Sequence, residues 1–261
     1  MTTTASTPHT PRSAPAVGSA RATRVPRVRL VVPVLALASA LSGLDAALLR
    51  LGVSAPVHAE PLADGHGVLM VYGFLGTAIA LERAVALQAG ARRAAWAYVA
   101  PGASGLGGLL LVLQATPLPL PAGRALPGGA WVAAMFVAIY LAVWRRQPSY
   151  AVLVQLLGAL AGLFGAALWA RGLEAAAVVP WWAALLVLTI VGERLELARG
   201  AFLGAGVERR ILAESCSLVL ALAAATLSPP GATRCSAWHS GCSWWTSRGT
   251  TSRGAPSVRA G

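Results

Sequence analysis

Among the polar and ionisable residues within the long apolar runs of this chain, seven are the candidates for chemistry: Asp45, Tyr72, Thr77, Glu82, Arg83, Glu193 and Arg194. A charged side chain near the centre of a lipid bilayer costs several kcal/mol, so such residues are rare there and usually functional. Buried carboxylates carry ions and protons in many membrane transporters. Asp45, Glu82 and Glu193 therefore predict a polar path for an ion or a small solute between the first, second and sixth apolar runs.

Four of these charged residues occur in two similar sequence segments, Glu82-Arg83 in the second run and Glu193-Arg194 in the sixth. Neighbouring residues on a helix point in different directions, so Glu82 does not simply pair with Arg83. We predict two ion pairs between the helices, Glu82 with Arg194 and Glu193 with Arg83. The alternative is that all four side chains extend to the polar surface of the membrane without a partner.

The second apolar run reads HGVLMVYGFLGTAIALERAVAL from His66 to Leu87. It resembles the second helix of haem–copper oxidase subunit I and NnrS-like membrane proteins, and it looks like a signature of an uncharacterised family of multi-pass bacterial membrane proteins. The oxidase resemblance implies that His66 is an axial haem ligand, a role that imidazole fills in many proteins. No second histidine falls in an apolar run, so a partner subunit would have to complete the site. The alternative is a histidine at the membrane surface that only forms a hydrogen bond.

Other patterns of catalytic and metal-binding residues are missing from the sequence. His58, Glu60, Asp64 and His66 surround one loop, but their spacing matches no metal-site pattern, so we predict no metal site. The sequence contains no phosphate-binding Walker loop, no HExxH motif and no GxSxG motif with triad partners. An enzyme is therefore less favoured than a transporter, a haem-linked redox protein or an assembly scaffold.

Composition assigns the chain to the membrane proteins. It is 56% hydrophobic and 11% charged, whereas soluble domains average about 25% charged residues. The net charge of +12 could attract nucleic acid, but the arginines form short clusters between apolar runs, which is the pattern of membrane topology. All 21 basic residues are arginine, and with abundant Ala, Gly and Pro this favours a GC-rich bacterial genome. We therefore expect the lipid bilayer, and not nucleic acid, to be the main partner, with a partner subunit or a second copy also open.

Seven apolar runs are long enough to cross a bilayer as helices, because about 20 residues span its hydrocarbon core. They cover 30–51, 66–88, 94–114, 126–144, 150–170, 176–190 (extending to about 194) and 211–227. Backbone groups in lipid must pair within their own segment, so an all-α transmembrane bundle is predicted. At the ends of the runs or outside them, and before residue 228, thirteen arginines fall on the side of the N-terminus and three on the opposite side. Positive loops stay inside, so we predict a cytoplasmic N-terminus in the bacterial inner membrane.

The two ends of the chain differ from the transmembrane domain at 30–227. Residues 1–29 are rich in Thr, Ser, Pro and Arg and are predicted to be a disordered cytoplasmic tail. An alternative for the first run is a signal peptide cleaved after Val57-His58-Ala59, although Asp45 interrupts its apolar stretch.

Residues 228–261 form an irregular tail, in which residues 235–247 read CSAWHSGCSWWTS. Cys, Trp and most Ser codons begin with T, and a shift that makes this T the middle base turns each codon into an apolar one. We therefore predict a frame change near residue 230 and a native eighth helix, the alternative being a genuine irregular tail.

Small residues and tryptophans predict how the helices pack. Gly158, Gly162 and Gly165 form a small face on the fifth run that lets another helix approach closely. Five tryptophans near the ends of runs are predicted to be anchors at the membrane surface: Trp131, Trp144, Trp169, Trp181 and Trp182.

Overall fold

The computed structural model describes residues 28–56, 60–89, 94–118, 120, 123–134, 136–198 and 204–228. These residues are almost entirely helical and contain no β-strand, which confirms the all-α prediction. Seven helices are long and apolar enough to cross a membrane: α1 (Val28–Arg50), α2 (His66–Ala89), α3 (Ala94–Gln114), α4 (Ala125–Arg146), α5 (Tyr150–Ala170), α6 (Ala175–Ala198) and α7 (Ala205–Leu227). The predicted N-terminal tail (but for its last two residues, which begin α1) and nearly all of the predicted frame-changed tail lie outside the described residues.

Helix α2 changes its winding in the middle of the membrane span. It begins as an α-turn at His66–Val68, widens into a π-helix at Leu69–Gly76 and continues as an α-helix from Thr77. The carbonyl oxygen of Tyr72, within the π-helix, accepts hydrogen bonds from the hydroxyl of Ser104 at 2.8 Å and that of Thr77 at 3.4 Å. The same carbonyl also accepts from the backbone N–H of Thr77, as expected in a π-helix, so the two hydroxyls add to the backbone bond.

The helices form two packed groups, α1–α3 and α5–α6, and α4 connects the two groups. Helices α1, α2 and α3 pack on one another, α5 and α6 form the most extensive helix pair, and α4 contacts both α3 and α5. A Cβ atom added at Gly73 of α2 would lie 3.5 Å from the Cα of Gly108 on α3, so these backbones nearly touch. Close approach at small residues supplies the dispersion contacts that hold helices together in lipid.

Helix α7 lies at the edge of the bundle. It packs against α5 and α6 around Trp181 and Ala184, and it contributes Val219, Leu222 and Ala223 to this contact. Only 6% of its apolar span is buried by the rest of the described protein. Its remaining surface must therefore meet lipid or another polypeptide.

Four of the five tryptophans lie inside the bundle, so their prediction as surface anchors is wrong. Trp131, Trp169, Trp181 and Trp182 each expose at most 4% of their surface, whereas Trp144 is partly exposed. The indole of Trp131 stacks on Tyr72 with ring centres 5.3 Å apart and donates to the carbonyl of Ser104 at 3.1 Å. A tryptophan near the end of a span anchors at the membrane surface only if its helix face is turned outward, and these faces are turned inward.

Candidate functional site

A charged pair joins α2 to α6 near their C-terminal ends. The guanidinium group of Arg83 donates a hydrogen bond to the Glu193 carboxylate and lies 4.0 Å from the Glu196 carboxylate. The Arg83 side chain is 16% exposed and that of Glu193 is 34% exposed. The ion pair predicted between Arg83 and Glu193 is thus present, in a partly buried position.

The second predicted pair, Glu82 with Arg194, does not form. Both side chains are exposed, and no ion pair joins them within the part of the chain that the structure describes. Successive residues of an α-helix point about 100° apart, because one turn takes 3.6 residues. When Arg83 and Glu193 face each other, their neighbours therefore point away, and Glu82 instead lines a groove between α1 and α2 with Pro33 and Leu37.

A cavity of about 190 Å³ with polar and apolar lining residues opens beside this ion pair, and we call it the Arg83 cavity. Four helices line it, α2, α4, α5 and α6. Its lining consists of Arg83, Ala86, Leu87, Tyr140, Val143, Arg146, Gln147, Val152, Gln155 and Glu196. Residues from four different helices converge here, as they do at ligand sites between the helices of bundles.

Three lining residues carry buried polar atoms with no hydrogen-bond partner in the described part of the chain. These atoms are Nε of Arg83, the hydroxyl oxygen of Tyr140 and Nε2 of Gln155. Tyr140 and Gln155 are each only 1% exposed. Leaving a buried polar group unpaired costs about 1–3 kcal/mol. Three such groups around one cavity therefore call for a partner from outside the described residues, such as a water molecule, an ion or a ligand.

The cavity holds more donors than acceptors. The Nε of Arg83 and the Nε2 of Gln155 only donate, and the Tyr140 hydroxyl can donate. Arg146 adds a second guanidinium, which donates to the carbonyl of Leu87 at 3.2 Å. Among the lining residues, the acidic side chain is Glu196, which already lies next to Arg83.

The three carboxylates of the predicted polar path lie in three separate places. Asp45 is 7% exposed and lines an apolar cavity of about 400 Å³ between α1 and α3, at the other end of the bundle. Glu82 lies on the groove between α1 and α2, and Glu193 is paired with Arg83. Helices α1 and α6 make no extensive contact in the part of the chain that the structure describes, and the polar path stays a prediction.

His66 forms a hydrogen bond within the bundle. Its Nδ1 lies 2.7 Å from the carbonyl oxygen of Gly43 on α1, and the side chain is partly buried. The glycines beside it meet protein atoms: a Cβ at Gly67 would lie 2.9 Å from the Trp182 ring, and one at Gly73 would lie 2.8 Å from Ser39. Helices α1 and α6 thus occupy the space along the glycine face, and haem ligation by His66 stays a prediction.

No group of three His, Cys, Asp or Glu side chains that could hold a metal ion occurs in the part of the chain that the structure describes. His58 lies outside that part. Around the described portion of that loop, Asp64 is exposed and His66 is bonded to Gly43.

The remaining residues singled out in the sequence serve the core. The Tyr72 hydroxyl donates to the carbonyl of Gly162 at 2.8 Å, and Tyr72 and Thr77 are both fully buried. A Cβ at Gly158 would lie 3.1 Å from the carbonyl oxygen of Leu185 on α6, and one at Gly165 would lie 2.8 Å from the Tyr72 hydroxyl. The small face of α5 thus receives α6 and the Tyr72 side chain.

Comparison with known proteins places this helical core in one family. Residues 29–243 match the family described as a domain of unknown function (DUF8744). The chain belongs to this family. No curated protein and no solved structure matches it. The matched region of the DUF8744 domain contains every residue that lines the Arg83 cavity, and it ends beyond residue 230, where a frame change is predicted.

Sequence reasoning missed two central residues of the DUF8744 cavity, Tyr140 and Gln155. Gln155 had a visible signal, since it is the one amide in the apolar run of α5. It also faces Gly192 of α6, where a Cβ would overlap the Gln155 side chain, so the glycine makes room for the amide. Tyr140 had no such signal, because a tyrosine near the end of a span is ordinary in membrane helices.

Proposed function

We propose that this chain is a multi-pass transporter of a bacterial cytoplasmic membrane that binds a small polar solute in the Arg83 cavity. One observation carries the proposal: Arg83, Tyr140 and Gln155, on three different helices, line one cavity with buried polar atoms that have no partner in the described part of the chain. A bundle that served only as a scaffold would be more stable with apolar residues at these positions.

The proposal differs from the polar path first predicted from the sequence. Asp45 and Glu82 lie away from the cavity, and Glu193 contributes through its pairing with Arg83. The solute site is instead built from one ion pair and two neutral polar side chains. Polar sites between helices, where one group of helices moves against another, are the common plan of transporters.

The arginine distribution sets the orientation within this proposal. Thirteen arginines at the ends of the runs or outside them, and before residue 228, lie on the side of the N-terminus against three on the other, which supports a cytoplasmic location for that side. The loop that follows Arg146 is then cytoplasmic and the loop at Gly172 is external. The Arg83 cavity would accordingly open toward the cytoplasm.

We expect alkaline phosphatase fused after Gly172 to be active in intact cells and the same enzyme fused after Gln147 to be inactive. Alkaline phosphatase folds only outside the cytoplasm, so activity reports an external loop. Green fluorescent protein at the same two points should give the reverse pattern. Phosphatase activity at Gln147 together with its absence at Gly172 would reverse the orientation.

Removing the unpartnered groups should weaken solute binding without destabilising the protein. Tyr140→Phe deletes the hydroxyl and Gln155→Leu deletes the amide at similar volume, and each change removes an atom that has no partner in the described part of the chain, the Tyr140 hydroxyl oxygen or the Gln155 Nε2. We expect each variant to keep or raise its melting temperature, since an unsatisfied buried group is removed. Each should also retain about tenfold less solute, because a hydrogen bond to a charged or polar ligand is lost.

The measurement exposes the purified full chain to the low-molecular-mass fraction of a bacterial extract and identifies the retained compounds by mass spectrometry. A compound retained by the parent is then followed into proteoliposomes. Gln114→Leu, an amide deleted at the far end of α3, is the matched control for Gln155→Leu and should retain the compound. Ser104→Ala controls for stability, because its hydroxyl bonds to Tyr72 and its loss should lower the melting temperature. Equal retention by the parent and both cavity variants would disprove the proposal.

A further inference from the structure

We infer that the Arg83 cavity binds a small carboxylate with an apolar body. The inference rests on the proposed function, since it names the solute class of the same site. The argument has three steps: the hydrogen-bonding character of the unpartnered atoms, the charge around them, and the size and lining of the cavity.

The unpartnered atoms require a ligand that accepts hydrogen bonds. Arg83 Nε and Gln155 Nε2 are donors only, and the Tyr140 hydroxyl can donate as well. A ligand with only donors, such as an ammonium ion, would leave both nitrogens unpaired. An oxygen-rich group such as a carboxylate offers about four lone pairs and accepts from all three.

Charged hydrogen-bond donors favour an anion over a neutral acceptor. Arg83 uses one edge of its guanidinium for Glu193, while its Nε is left without a partner in the described part of the chain. Arg146 lines the same cavity and bonds only to the carbonyl of Leu87 among the described residues. Glu193 and Glu196 offset these two cations and come close to neutralising the site. The site therefore has little net charge, and the preference for an anion rests on charge-assisted hydrogen bonds from the two guanidinium groups, which are about twice as strong as neutral ones.

Size and lining favour a carboxylate with an apolar body over a bare oxyanion. A cavity of about 150 Å³ accepts a benzene molecule, so the cavity of about 190 Å³ holds a compact carboxylate of similar size. Four lining residues are apolar: Ala86, Leu87, Val143 and Val152. Phosphate or sulfate would leave these side chains in contact with a hydrated ion. A short aliphatic or aromatic body would cover them.

Radiolabelled benzoate is the probe that tests this inference on the purified full chain. We expect saturable benzoate binding that is at least about tenfold tighter than binding of benzamide, its neutral counterpart, and of inorganic phosphate. Gln155→Leu should weaken benzoate binding about tenfold. The double variant Arg83→Met with Glu193→Met removes the cation and its partner together, so it keeps the charges balanced and should abolish the preference for benzoate over benzamide.

The outcomes separate this inference from the proposed function. If Gln155 controls the retention of a neutral or cationic compound from the extract, the solute site stands and the carboxylate assignment is wrong. Equal binding of benzoate and benzamide, or tighter binding of phosphate, also overturns the assignment. If neither benzoate nor any compound from the extract binds in a manner that depends on Gln155, both proposals fail. A preference for benzoate that survives in the double variant would show that Arg83 does not select the anion.

Discussion

Replacing Arg83 by Met is expected to lower the free energy of unfolding by about 2 kcal/mol, and adding Glu193→Met should restore most of that loss. The single change leaves the Glu193 carboxylate within the bundle without its cation. Breaking a fully buried pair costs about 3–5 kcal/mol, and an exposed pair is worth less than about 1 kcal/mol. Glu193 is 34% exposed and Arg83 is 16% exposed, so an intermediate value applies.

The neighbouring residues provide a matched control on the same helix turns. Glu82 and Arg194 have the same side chains, lie next to the pair in the sequence, and form no ion pair with each other in the described part of the chain. Glu82→Met and Arg194→Met should each change stability by less than about 0.5 kcal/mol, and their double variant should show no coupling. Unfolding in detergent, followed for both double-mutant cycles, gives the two coupling energies. A coupling energy for Arg83 and Glu193 no larger than that for Glu82 and Arg194 would contradict the structure's assignment of the pair.

Length and composition were sufficient to predict the seven helices. A helix needs about 20 apolar residues to cross the hydrocarbon core, and its backbone groups pair within it. A run of that length is directly visible in the sequence. The fifth run was predicted at 150–170 and the helix covers Tyr150–Ala170. The C-terminal end of α6 was less accurate, because the run was predicted to extend to about Arg194 and the helix continues to Ala198.

The sequence did not predict which side chains face the interior of the bundle and which face lipid. The sequence predicted ion pairs with α6 for both Glu82 and Arg83. The rotation of α2 about its axis turns only Arg83 toward α6. Trp131 looked like a surface anchor for the same reason, since its position along α4 says nothing about which face it occupies. In lipid both faces of a helix are apolar, so the amphipathic pattern that reveals facing in soluble helices is weak.

The candidate site depends on contacts between residues far apart in the sequence. Tyr140 and Gln155 become candidate site residues only because α4 and α5 bring them into the same cavity as Arg83. His66 shows the opposite situation. The sequence around it resembles a haem-ligand helix, but in the structure its imidazole lies against the Gly43 carbonyl. Local similarity identifies residue types, and tertiary packing decides what they touch.

Replacing Gly158 by Leu is expected to prevent correct packing of α5 on α6 and to lower the free energy of unfolding by about 3 kcal/mol. A Cβ at this position would lie 3.1 Å from both the carbonyl oxygen of Leu185 and the Cβ of Leu188, and 3.2 Å from the backbone nitrogen of Thr189. Two of these atoms belong to the backbone and cannot rotate away. The helices would have to separate, and the dispersion contacts of the most extensive helix pair would weaken.

Gly102→Leu is the control that isolates this packing effect. A Cβ at Gly102 meets nothing within 4 Å, and both changes replace a poor helix former by a good one, which favours the helix by about 1 kcal/mol. The Gly102 variant should therefore keep or raise the melting temperature, whereas the Gly158 variant should melt early or fail to elute as a single species from a sizing column. Equal stability of the two variants would mean that α5 and α6 do not meet at Gly158.

Because Gln155 lies less than one turn from Gly158 and faces Gly192, any separation of α5 from α6 should also weaken solute binding in the Arg83 cavity. A Gly158 variant that loses stability yet keeps full solute binding would show that the cavity is held by α2 and α4 without the support of this helix pair.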